Sequence, residues 1–443
     1  MRFYDRISEL NALERVHKLV SDTARLSVIT GRRRIGKTRL IRTFCEDKKS
    51  LYFFISRKSE ELLCDEFTAY IQETLGIKPH GRINRLIDIL RFLFDFAKSE
   101  SLVIVLDEFQ ELLQINPGFF SDFQNLWDNQ KANSKLHIIV SGSVYSMMYK
   151  LFMDYGQPLY GRADLVLNLQ AFPIQTLHEI LAETNEYNAD NLLSCYILTG
   201  GIPRYIEILK DNQALSKEKS IDYVFSAHSI FAEEGRNLLI EEFGRDHGVY
   251  FSIMELMAQG KTSRPEIESI LEVSIGAYLE RLEIFYHLIT PFRSFDAKPT
   301  GRSIKYKINE SFLAFWFAYF HRFRAAVESM NTQYVKRQFL EDYTQFAGYW
   351  LERLYADIYR ESGKYNRLGA YWESGFKNEI DLVAINDEEK LMVLAEIKLQ
   401  KKNIRKKDLV EKAQKLKRQY PKYRIEYRYH SLEDLEDYPN LKI

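Results

Sequence analysis

Chemistry is specified most directly by Gly31-Arg-Arg-Arg-Ile-Gly-Lys-Thr38. A β-branched run precedes it and a helix-compatible segment follows, giving strand, G-x-x-x-x-G-K-T, helix. Gly31 and Gly36 let the backbone turn its N–H groups toward an anion. The following helix adds the positive end of its dipole. Lys37 can reach β- and γ-phosphates, and the Thr38 hydroxyl can sit on Mg²⁺. Gly31, Arg32, Arg33, Arg34, Ile35, Gly36, Lys37, Thr38 and Arg39 are therefore expected to hold ATP with Mg²⁺.

The second half of such a site is expected at Ser101-Leu-Val-Ile-Val-Leu-Asp-Glu-Phe-Gln110. A continuous apolar run reads as a strand buried on both faces. Its end would deliver Asp107 to Mg²⁺ through a water and Glu108 to the attacking water. The next strand-like run, Leu136–Ser143, ends in small polar residues at the edge where ligand should lie. Ser141 or Ser143 could sense the γ-phosphate, or cap the helix that follows. Arg162, alone in a loop, could contact the γ-phosphate in cis or from a second subunit of a homo-oligomer. A surface salt bridge is the competing reading.

A third constellation lies near the C-terminus. Asn378–Ile385 and Leu391–Leu399 read as two strands around a polar turn. Asp381 sits early on the first; Glu396 and Lys398 end the second, two residues apart and so on one face. Two carboxylates and a lysine on a sheet face could bind a divalent cation and activate water. The alternative is a pair of strands that merely carry solvated charges. Residues 398–424 hold twelve Lys or Arg against Asp408 and Glu411, a net charge of +10. Such an excess suits a nucleic-acid partner.

These groups must be positioned by 443 residues with 46% hydrophobic and 14% aromatic content and no net charge. That is enough apolar material for about three domains of roughly 150 residues. No apolar run reaches the roughly 20 residues that span a bilayer, and the N-terminus has no signal-like apolar core. Cys45, Cys64 and Cys195 are odd in number and far apart, fitting neither a disulfide framework nor a zinc site. A cytoplasmic protein with no membrane partner is expected. Residues 3–20 read as a turn and an amphipathic helix, either core-facing or an adenine-side wall. Residues 249–290 read as three short helices, with a strand-like tail at 303–308, in the order of a winged helix. The third of them, Gly276–Leu288, carries two Glu and one Arg, so inter-domain packing is favoured over DNA reading. Phe312–Phe320 reads as an aromatic docking core. Phe346–Glu352 reads as the start of another helix after a polar segment near 328–336.

Gly31–Thr38, Leu106-Asp-Glu-Phe-Gln110, Val140-Ser-Gly-Ser143, Pro158-Leu-Tyr-Gly-Arg162 and Gly200-Gly-Ile-Pro-Arg-Tyr205, in this order, resemble the archaeal-type ATPase family, AAA-related P-loop ATPases. The resemblance covers roughly residues 1–325. It implies an α/β fold: a P-loop αβα ATPase core (1–170), a helical lid (171–240) and a winged-helix-like domain (241–325). Gly200, Gly201, Ile202 and Pro203 would form a second nucleotide sensor in the lid. The C-terminal part (335–443) resembles the restriction-endonuclease-like PD-(D/E)xK core. That resemblance implies Asp381 and Glu396 as metal ligands, Lys398 as the group that positions or activates the nucleophile, and help from Glu352. No Pro precedes Asp381; Glu379 and Ile380 do. The expected function is an ATP-hydrolysing switch controlling a metal-dependent nuclease-like domain on DNA or RNA. The alternative is an ATP-driven switch or assembly scaffold that binds nucleic acid or protein without cutting.

Overall fold

Five short runs in the first 170 residues become one parallel sheet: β1 (Arg25–Thr30), β2 (Ser50–Phe54), β3 (Leu102–Asp107), β4 (Leu136–Ser141) and β5 (Leu165–Asn168), in the order β2-β3-β4-β1-β5. The computed structural model describes all residues except 1, 22, 244–246, 296, 298–303 and 374–376. It divides into two compact units, Phe3–Gln170 and Ala171–Ile443, the latter joined by Arg2.

In the first unit every residue of β3 and β4 is buried, as is β1 from Leu26 onward. Burial on both faces removes the usual alternation and explains the continuous apolar runs. Helices Glu60–Leu75, Leu86–Phe96 and Phe119–Gln130 contribute Leu63, Leu90 and Phe123 to the core beside Val28, Ile104 and Ile138. Because all five strands are parallel, Thr30, Phe54, Asp107 and Ser141 finish at the same edge of the sheet. The strand β4 separates β1 from β3, so the phosphate loop and the acids descend from non-adjacent strands. The N-terminal amphipathic segment forms the helix Ile7–Lys18. The edge strand β5 was not expected from sequence. It has four residues, of which Val166 and Asn168 are exposed, so it lacks the apolar continuity of its neighbours.

The second unit begins with five helices, Ile174–Glu183, Ala189–Thr199, Pro203–Asp211, Lys217–Val224 and Phe231–Phe243. His247–Ala258, Arg264–Leu271 and Gly276–Glu280 follow, the last continuing as a π-helical turn to Phe285. Antiparallel β6 (Ile289–Phe292) and β7 (Lys305–Ile308) then pair. The expected start of this tail at Ser303 lies outside the described residues. Phe312 through Phe320 are all buried, and the Trp316 indole donates to the Ala232 carbonyl at 2.7 Å. This segment is interior, as its aromatic density suggests.

A 30-residue helix, Thr332–Glu361, leads into the C-terminal sheet. It starts 14 residues earlier than the sequence reading placed it. Asn331 makes the difference: its side-chain oxygen accepts from the Tyr334 N–H and caps the helix. The polar residues after it lie on the helix surface rather than in a linker. The strands are β8 (Arg367–Glu373), β9 (Lys377–Asn386), β10 (Leu391–Lys398) and β11 (Arg424–Ser431), ordered β11-β10-β9-β8. Both β8–β9 and β9–β10 are antiparallel, and β10–β11 is parallel. A parallel return needs a crossover, supplied by helices Lys406–Lys412 and Gln414–Gln419. Their Leu409, Ala413 and Leu416 pack with Val383, Ile385 and Leu394, while Lys407, Lys415, Lys417 and Arg418 face outward.

Candidate functional site

The phosphate loop adopts the backbone its glycines permit. Gly31 has φ 141° and Gly36 φ 96°, both left-handed. A Cβ on Gly31 would lie 2.9 Å from the Leu169 carbonyl oxygen, so the site excludes any side chain there. The helix Lys37–Cys45 begins directly after Gly36. Lys37 is 7% exposed, and its Nζ donates to the carbonyls of Gly31 at 2.7 Å and Arg32 at 3.0 Å. The ammonium is thereby held against the loop that is to receive phosphate. Arg6 reinforces the loop from outside, donating to the carbonyls of Ile35 and Gln170.

Asp107 is 5% exposed at the end of β3. One carboxylate oxygen accepts the Glu108 N–H at 3.0 Å; the other accepts the Tyr52 hydroxyl. The Thr38 side chain lies near the same phenol, where it acts to lower its pKa. A tyrosine on β2 thus bonds one of the two residues expected to serve Mg²⁺ and lies near the other. Burial and the Asp107 charge push its phenol pKa well up, which keeps it a donor. Sequence reading missed Tyr52. The available signal was a polar-tipped aromatic in an apolar run that ends at the sheet edge.

Glu108 is left-handed at φ 55°, a costly conformation for a residue with a Cβ. Its Oε2 accepts from Gln110 Nε2 at 2.6 Å and Ser143 Oγ at 2.7 Å. Ser143 therefore orients Glu108. The alternative, a helix cap, is not what forms: Val144 is the cap residue of Tyr145–Met153, with no side-chain cap bond. The Ser141 hydroxyl is buried without a partner. A hydroxyl and a carboxylate beside one phenol form a hard-oxygen donor set that suits Mg²⁺. Replacing Tyr52 by Phe should leave ATP affinity intact and raise the Mg²⁺ requirement about tenfold, one charge-assisted hydrogen bond being worth about 1.5–3 kcal/mol. Mg²⁺ titration of fluorescent-ATP binding and of turnover measures this; an unchanged midpoint in both would remove the positioning role.

Arg162 takes the salt-bridge alternative. Its Nε and Nη2 bind both oxygens of Asp128, at 3.1 and 2.7 Å, and Nη1 donates to the Pro158 and Tyr160 carbonyls. The guanidinium is tied to its own loop and to the helix Phe119–Gln130, so a γ-phosphate role would require breaking a bidentate pair. Arg162→Ala is expected to change ATPase rate less than twofold. A large loss whose size depends on protein concentration would instead establish a finger acting between subunits.

In the second unit, Asp381, Glu396 and Lys398 do come together. Lys398 Nζ lies 2.7 Å from Asp381 Oδ2 and 3.3 Å from Glu396 Oε1. Asp381 also accepts the Ile397 N–H at 2.8 Å, and Lys412 approaches Glu396 at 3.1 Å. Burial lifts Asp381 above the usual carboxylate range, opposed by Lys398. It lifts Glu379 likewise, with Asp381 adding to the effect. Glu352, on the long helix, is pushed up to about 8 by burial and by Asp381, Glu379 and Glu396. Burial works against the Lys398 charge, but Asp381 and Glu396 outweigh it and hold its pKa high. Asp381, Glu396 and Glu352 thus share one poorly solvated region with Lys398 and Lys412, and Glu379 lies exposed at its edge. Glu379 and Lys412 were not singled out from sequence; Glu379 was noted only as Asp381's neighbour. Among the described residues no three His, Cys, Asp or Glu are arranged to hold a metal ion. Carboxylates that raise one another's pKa do have the chemistry a divalent cation would relieve.

Gly200 and Gly201 are left-handed at φ 60° and 70°, and Gly200 closes the helix Ala189–Thr199. A Cβ on Gly201 would approach the Phe172 carbonyl oxygen to 2.7 Å. Both glycines meet a turn requirement. No described helix is long and apolar enough to cross a membrane.

Comparison with known proteins agrees with this geometry. Residues 3–209 match a family described as an ATPase domain predominantly from Archaea. Residues 316–411 match one described as archaeal and bacterial proteins of unknown function. An uncharacterised protein of Methanocaldococcus jannaschii is 30% identical over 453 residues, covering 98% of this chain and 93% of that protein. A second uncharacterised protein of that organism is 43% identical over 70 residues, covering 16% of this chain and 68% of its own. Among solved structures, a Walker-type ATPase of Pyrococcus abyssi superposes with TM-score 0.55 at 20% identity, over 71% of this chain and 96% of that one. The P-loop ATPase fold of the first unit is thus shared with a known ATPase. With the long Methanocaldococcus relative aligned across nearly its whole length, the chain belongs to the archaeal-type P-loop ATPase family.

Proposed function

We propose that this ATPase uses ATP binding and hydrolysis to control a metal-dependent, phosphodiester-cleaving site in its C-terminal sheet. Lys37 would hold the β- and γ-phosphates, Thr38 and Asp107 the Mg²⁺, and Glu108, oriented by Ser143, the attacking water. The helices after Ala171 would act as the lid, with Gly200 and Gly201 as its sensor. The three helices and the β6–β7 hairpin would form a winged-helix-like connector.

The nuclease reading is carried by one observation: Asp381 and Glu396 meet at a shared lysine on a β-meander preceded by a long helix that brings Glu352. The αβββαβ order of this region supports a PD-(D/E)xK-like core. A cation held by Asp381 and Glu396 would supply Lewis acidity. Lys398 would then orient the water that it donates to, and Glu352 would accept or release a proton near neutral pH. The outward lysines of the crossover helices give a surface suited to the phosphates of DNA or RNA.

Binding without cleavage is a second reading with its own support. Lys398 and Lys412 already satisfy oxygens of Asp381 and Glu396, as a purely structural ion-pair network would. The experiment that separates the two is cleavage of labelled single- and double-stranded DNA and RNA with Mg²⁺ or Mn²⁺, with and without ATP. Cleavage that depends on Asp381 and changes in Lys37→Ala supports the first reading. ATP hydrolysis with no cleavage under any condition supports the second.

A further inference from the structure

A cavity of about 520 Å³ opens in the second unit, away from the carboxylate cluster. One wall is the β6–β7 hairpin, with Phe292 and Lys307; a second is the interior aromatic segment, with Tyr319 and Arg322; a third is the long helix, with Phe346 and Trp350. Ala314 and Ala318, one turn apart on the aromatic segment, leave the space open. Its size and its aromatic lining with a few polar groups are those of a small-molecule site.

The charges within it are unbalanced. Lys307 packs over the Phe292 ring at 5.5 Å, and no described carboxylate forms an ion pair with it. Arg353, on the long helix and outside the lining, adds positive potential at Lys307; its Nη1 is buried without a hydrogen-bond partner. Arg322 at the mouth forms no ion pair with a described residue. The Trp350 indole N–H is also buried without an acceptor. Opposing these are Asp342 at the mouth and Asp357, which already pairs with Arg360 and accepts from Tyr196. Buried cations are ordinarily paired, and here the pairing is incomplete.

We infer that this cavity binds a small aromatic anion, a planar ring carrying a phosphate or carboxylate and no larger than a mononucleotide. The ring would lie among Phe292, Tyr319 and Phe346, and the anion would take Lys307 and Arg322. Proton linkage supports the assignment. Burial, together with Arg353 and Arg360, lowers Lys307 to about 7, against the pull of Asp357. An arriving anion favours the charged amine, so binding at pH 7.5 takes up a proton. The uptake should shrink as pH falls below about 7, where Lys307 is already charged.

The test uses the full chain carrying Lys37→Ala, so that the phosphate loop does not dominate nucleotide binding. Calorimetry in two buffers of different ionisation enthalpy measures adenosine 5′-monophosphate, phenyl phosphate, indole-3-acetate and uncharged adenosine. At least one anion is expected to bind saturably near one per chain, with uptake of up to about three-quarters of a proton at pH 7.5 and at least tenfold weaker binding of adenosine. Lys307→Gln should weaken that anion at least tenfold and abolish the uptake. Arg322→Ala, at an exposed position, should weaken it without threatening the fold. The monophosphate and indole-3-acetate arms distinguish a nucleotide from an aromatic acid. Absence of saturable binding by every anion at millimolar concentration overturns the inference. Binding that Lys307→Gln and Arg322→Ala leave unchanged overturns it equally.

Discussion

Glu108→Gln is expected to lower ATP turnover about 10²–10³-fold while changing ATP affinity less than about threefold. The carboxylate lies outside the phosphate loop, so substrate affinity should not depend on its charge. Its own geometry is tightly fixed. The left-handed backbone at Glu108 turns the side chain away from the line of β3, and Gln110 and Ser143 both donate to one of its oxygens. Gln can accept those two bonds but cannot draw a proton from water. General-base assistance is commonly worth about 10²–10⁴-fold, and a 10²–10³-fold loss corresponds to about 3–4 kcal/mol of barrier. Lys37→Ala should differ in kind, raising the dissociation constant for ATP as well. Steady-state turnover and fluorescent-ATP binding, measured on both variants, check this. A Glu108→Gln protein that turns over at the parent rate would take the general-base role away from Glu108. Ser143→Ala supplies a finer check: it keeps the carboxylate but removes one restraint, so its loss should be smaller, about tenfold.

The first unit was readable because its signals are local. A Gly that needs φ 141° against the Leu169 carbonyl oxygen, and a buried strand that ends in Asp-Glu, each write their requirement into a few adjacent residues. What escaped was relational. Tyr52 became a partner of Asp107 through the parallel β2–β3 register, which pairs Phe54 with Asp107 and is not encoded near either residue. Strand β5 escaped because an exposed edge needs no apolar continuity. In the second unit, Asp381, Glu396 and Lys398 could be brought together from sequence because a hairpin ties them. Lys412 reaches Glu396 from the crossover, and the elevation of Glu352 depends on burial against the sheet and on three acids from two strands. The start of the long helix was masked by a polar surface, and only the Asn331 cap marks it. Arg162 shows the converse: an isolated arginine in a loop has no sequence signal for its partner, and Asp128 lies 34 residues upstream.

Asp381→Asn and Lys398→Ala are expected to abolish nucleic-acid cleavage, by at least about 100-fold, while leaving ATP turnover within twofold. Asn keeps the shape and can still accept the Ile397 N–H, so it removes charge with little change in packing. If Asp381 serves a cation, that lost charge should also weaken Mn²⁺ binding, read by calorimetry without any substrate. Lys398→Ala acts in the opposite electrostatic sense. It leaves Asp381 without its cation and Glu396 with Lys412 alone, in a region that is 7–8% exposed at the two carboxylate side chains. Mn²⁺ should then bind at least as tightly as in the parent, even though cleavage is lost. Opposite effects on the metal with the same effect on cleavage are what a catalytic lysine beside a metal site demands. A structural ion-pair network demands something else: both variants lose thermal stability, since breaking a buried pair leaves its partner uncompensated, and neither alters Mn²⁺ affinity. Melting curves, metal titration and cleavage on the same two proteins therefore decide whether the acids around Lys398 form a reaction centre or only a charged core.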